Sequence, residues 1–123
     1  MSNLPQELPL HGPYDPVRTT DAAHLVHELI RYLNYATRHA AALPGALEAH
    51  ETVGALRLAA AQLPQALNQM SRQLPHATTA TEALRDAGTV ATVLATKLAA
   101  VQAALHGLAM GETPDHYPAP IAA

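Results

Sequence analysis

Apolar residues recur along the middle of this chain at alternating steps of three and four positions, the spacing that keeps side chains on one face of an α-helix. The pattern appears three times. It runs through Ala22, Val26, Leu29, Leu33, Ala36, Ala40 and Leu43, then through Ala46, Ala49, Val53, Leu56, Ala60, Leu63, Leu67, Met70 and Leu74. The third run is Ala77, Ala80, Leu84, Ala87, Ala91, Leu94, Leu98, Val101, Leu105 and Leu108. Sustained alternation of this kind is a heptad seam. It predicts helices at about residues 19–43, 46–74 and 77–110.

The boundaries carry their own signals. Asp21 stands where an acidic residue favours a helix start, and Thr79 with Glu82 has the spacing of a capping box for the third helix. Pro44–Gly45 and Pro75 interrupt the pattern, since residues before proline avoid the α region. Both connections are short, and short connections make neighbouring helices antiparallel. The expected fold is all-α: an antiparallel three-helix bundle over residues 19–110, with coiled-coil-like heptad packing. Pro5, Pro9, Pro13 and Pro16 predict an extended tail over 1–18, and Pro114, Pro118 and Pro120 another over 111–123.

Within the second helix Pro64 breaks a local rule, because the apolar register continues on both sides of it. It predicts a kink near Ala60, and Gly88, at the same level of the third helix, would relieve the crowding. These two residues mark a candidate pocket.

Composition supports helices over sheets. Of 123 residues 49% are hydrophobic, yet aromatics are 3% and all are Tyr. A core of Ala and Leu suits close helix packing, whereas a sheet would draw on Val, Ile, Thr and aromatics. The third helix is also poor in charge, with only Glu82, Arg85, Asp86 and Lys97. Its small residues Ala95, Ala99 and Ala103 form a candidate interface, and a homodimer through this helix is the expected assembly.

Net charge is −3, and the seven basic residues are scattered singly rather than gathered on a face. That disfavours nucleic-acid binding. The stretch from Val90 to Leu105 is interrupted by Thr92, Thr96, Lys97 and Gln102, and was expected to fall short of a membrane span. The first residues lack the basic start and apolar run of a secretion signal. With no cysteine, disulfides and thiol chemistry are excluded, and a cytoplasmic protein is expected. The preference for Arg over Lys, together with abundant Ala, points to GC-rich bacterial codon usage.

Candidate chemistry rests on eight histidines. Antiparallel alignment brings His39 and His50 to one level, with Glu51 adjacent and His106 near the same end, which offers an N,O-ligand set for a divalent metal. His24 and Glu28 share a face of the first helix beside His27, but point away from the seam. The two serines, Ser2 and Ser71, have no nucleophile context, and the isolated glycines form no phosphate loop. The sequence therefore predicts no enzyme and no cofactor. The expected role is a self-associating interaction or regulatory module with a protein partner, and the alternative is a small-molecule or metal-binding bundle.

Overall fold

The structure, a computed structural model, describes residues 10–111. Among these the regular structure is entirely helical: α1 (Pro16–Ala36), a short 3-10 turn (Ala40–Ala42), α2 (Ala46–Arg72) and α3 (Thr78–Ala109). The chain divides into two compact units, one ending at Ala42 and one beginning at Leu43.

In the first unit α1 starts earlier than the pattern predicted. Asp15 is its N-cap: the residue is extended, and its carboxylate accepts from the Arg18 amide at 2.8 Å and from Arg18 Nη1 at 2.9 Å. Pro16 then occupies the first helical position, where its missing N–H costs nothing and its fixed φ already suits a helix. Residues 16–18 are thus helical and not part of an extended tail, and residues 1–9 lie outside the described residues.

The helix also ends earlier, at Ala36 rather than Leu43. The amides of Arg38 and His39 bond to carbonyls three residues back, Tyr35 and Ala36, which tightens the chain into the 3-10 turn. Pro44 keeps Leu43 out of the helical region. Along α1, Ala22, Leu25, Leu29, Leu33 and Ala36 are half-buried, and no residue is buried. Val26, placed on the predicted seam, is exposed.

The second unit is a helical hairpin of α2 and α3. Residue numbers rise along one helix as they fall along the other: His50 meets His106, Arg57 bonds to Gln102, and Pro64 faces Gly88. At the turn, the Thr81 hydroxyl donates to the Leu74 carbonyl across Pro75. The expected capping box is not formed. Thr79 already lies inside α3, whose N-cap is Ala77 with no side-chain hydrogen bond. Helix α2 continues through Pro64 without a break. Beyond α3, Gly111 has φ +85°, a left-handed conformation that favours glycine and closes the helix. Residues 112–123 lie outside the described residues.

The face by which the helices meet is displaced by one residue from half of the predicted seam. On α3 the least exposed stripe runs Leu84, Gly88, Ala91, Ala95, Leu98, Gln102, Leu105, and on α2 it runs Ala60, Pro64, Leu67, Ser71. Leu84, Ala91, Leu98 and Leu105 were on the predicted seam; Gly88, Ala95 and Gln102 stand one position past Ala87, Leu94 and Val101. Gly88 is buried at the level of Pro64, and a Cβ there would lie 3.5 Å from the Pro64 Cα.

Candidate functional site

One position along a helix is a rotation of about 100°, so the displacement sorts the rest of the hairpin onto two flanks. Residues one position before the shared face are mostly apolar: Ala87, Leu94 and Val101 on α3, with Leu63 and Met70 on α2, and Lys97 is the one charge among them. Val90 and Leu108 continue the stripe on α3. Residues one position after it are polar: Thr89, Thr92 and Thr96 on α3, with Gln65, Asn68 and Arg72 on α2. Because the two helices have the same hand and run in opposite directions, like positions fall on the same flank. The hairpin has an apolar side and a polar side.

The apolar side is open. Val90 is 68% exposed, Leu94 49% and Val101 44%, whereas Ala60 and Ala91 are the only buried apolar residues among those described. Isolated exposed leucines are ordinary, but a continuous apolar stripe marks an interaction surface. Of the predicted interface residues, Ala99 and Ala103 are exposed, and Ala95 is half-buried on the stripe facing α2. A four-residue step advances about 40° round a helix, which carries Ala99 and Ala103 towards the polar flank and away from Leu94.

The polar side holds the predicted pocket. Pro64 and Gly88 lie in a shallow, open groove of about 400 Å³, with Gln65, Asn68, Arg85 and Thr92 among its walls. The hydroxyls of Thr89, Thr92 and Thr96 donate back to Arg85, Gly88 and Thr92 carbonyls. Each threonine is thereby satisfied within its own helix, and the groove presents no convergent acid, base or nucleophile.

The histidines separate by unit. His39 lies in the first, while His50 and Glu51 lie in the second, where His50 is half-buried and Glu51 exposed. Within the second unit His50 meets His106, with ring centres 5.5 Å apart and planes inclined at 50°. No three or more His, Asp or Glu side chains converge among the described residues. On α1, Glu28 stands 3.9 Å from both His27 Nδ1 and Arg31 Nη1, on the exposed surface.

Sequence reasoning missed one cross-helix contact. Arg57 Nε donates to Gln102 Oε1 at 2.7 Å, and the Gln102 side chain lies over Gly54 so closely that a Cβ there would sit 2.5 Å from its Nε2. The available signal was a glycine inside a helix with no turn to explain it, and the structure buries it.

Helix α3 contains an 18-residue window of mean hydropathy 1.4, so by length and composition it is long and apolar enough to cross a membrane. The expected interruptions, Thr92, Thr96, Lys97 and Gln102, do not bring the hydropathy of this stretch below that of a membrane-crossing helix. No protein-family model matches the chain, and comparison with curated proteins and with solved structures gives no match.

Proposed function

We propose that this protein is a non-enzymatic, self-associating helical module in which the apolar sides of two hairpins pair to form a homodimer. The observation that carries this reading is the open stripe from Ala87 to Leu108 on α3, flanked by Leu63 and Met70 of α2. It is about 30 Å long at 1.5 Å per residue, enough for one helix to lie along another. A second copy supplies the same stripe, and two-fold pairing makes it self-complementary. The absence of a convergent acid, base or nucleophile in the polar groove favours a binding role over catalysis.

Membrane insertion is the competing use of an apolar helix. It is disfavoured by α2, which carries Glu48, Glu51, Arg57 and Arg72 and would have to leave α3 or enter lipid with it. The finer architecture belongs to the same proposal: a heptad-packed antiparallel three-helix bundle would use α1 to cover the apolar side, leaving less of it for a partner.

Sedimentation at tens of micromolar distinguishes these arrangements. A dimer that becomes monomeric in Leu94→Glu/Val101→Glu, but persists in Thr92→Glu on the other flank, supports the proposal. A wild-type monomer that the apolar-side variant unfolds instead points to α1 as the cover and overturns it.

A further inference from the structure

We infer that His50 and His106 form a cross-helix site for one divalent transition-metal ion, with Zn²⁺ the representative ligand, at the end of the hairpin away from its turn. Two imidazoles bound to a tetrahedral ion at about 2.0 Å have ring centres about 5 Å apart. The observed separation is 5.5 Å, so the rings need to close by only a few tenths of an ångström. The 50° inclination lies between parallel and edge-to-face arrangements, so the ring spacing and the pairing of two helices carry the inference.

Position adds to geometry. The two residues come from different helices, so an ion shared between them links α2 to α3 where no covalent turn does so. At the opposite end Pro75 and the Thr81–Leu74 hydrogen bond already hold the helices together. Nitrogen donors select borderline ions such as Zn²⁺, Ni²⁺ or Cu²⁺ over Mg²⁺ or Ca²⁺, which take oxygen. Two protein ligands leave the remaining coordination positions to water, and the affinity is correspondingly modest beside that of a four-ligand structural site. This inference does not depend on the dimer, because both ligands lie in one chain.

The test uses the full untagged chain and ZnCl₂. Calorimetric titration is expected to show one ion per chain and a rise in melting temperature, with Mg²⁺ producing neither. His50→Asn and His106→Asn should each weaken Zn²⁺ binding by about tenfold or more, as loss of one of two ligands requires. Both residues lie at or near the surface, and circular dichroism confirms that the variants remain helical. His24→Asn/His27→Asn, on a different helix, should bind as the wild type does. The inference is overturned if the wild type binds no Zn²⁺ at ten times the protein concentration. It is equally overturned if binding survives in the His50→Asn/His106→Asn double variant, since the remaining histidines would then be the ligands.

Discussion

Asp15 places a carboxylate where the first amides of α1 have no intrahelical acceptors. The Arg18 amide holds this carboxyl below its ordinary value of 3.8, against the opposing effect of desolvation, and the Arg18 guanidinium adds to the lowering. A group with a depressed folded-state pKa stabilises the fold fully above its ordinary value, and the stabilisation fades as pH falls through the lowered one. Acidification below 3.8 should therefore fray the start of α1, seen as faster amide exchange at Arg18 and Thr19. Asp15→Asn, which caps without ionising, should remove that pH dependence. Gly54 poses a different balance. Ala at a helical position is worth about 1 kcal/mol over Gly, but here the new methyl would displace Gln102 from Arg57, losing a hydrogen bond of about the same worth. Gly54→Ala should be near neutral in urea unfolding, and the same change made in a Gln102→Ala background should stabilise by about 1 kcal/mol.

Helices α2 and α3 show how far a pattern of apolar residues reaches. Their existence, and the breaks at Pro44 and Pro75, follow from spacing and from the backbone rules of proline. Which side of each helix faces its neighbour does not follow as directly. The pattern counts Leu94 and Val101 as seam residues because they are apolar, whereas Ala95 and Gln102, one position along, are the less exposed. The start of α1 was available in Asp15–Pro16, a cap followed by proline, but Asp21 drew attention further along. Its end was not legible from spacing, as Ala40 and Leu43 keep the period while the backbone tightens into a 3-10 turn. Of the candidate site, Pro64 lies beside Gly88 across the hairpin. Antiparallel alignment already puts His106 near the end of the hairpin that holds His50, and the two rings do meet there. Gly88 also bears on stability. A Cβ there would lie 3.5 Å from the Pro64 Cα, an ordinary contact. Gly88→Ala should fit and raise stability by about 1 kcal/mol through helix propensity, measured by thermal unfolding.

At the scale of the whole molecule, almost every large apolar side chain of the hairpin retains access to solvent, and Ala60 and Ala91 alone among the apolar residues are buried. Under the proposed dimer the melting temperature should rise with protein concentration across the micromolar range, by mass action, whereas a monomer covered by its own α1 would melt at one temperature throughout. The notch at Gly54 has a further consequence for such an assembly. A seam of Ala and Leu repeating every seven residues looks much the same after one helix slides past the other by a full repeat, so apolar contacts alone distinguish poorly between alignments. Sliding by seven would set Gln102 against Leu47 or Ala61, side chains that occupy the space glycine leaves open. Arg57 would lose its partner in the same step. One glycine thus acts as the ward of a lock: it favours a single alignment of the two helices and, under the proposed dimer, a single arrangement of the apolar stripe presented to a second copy.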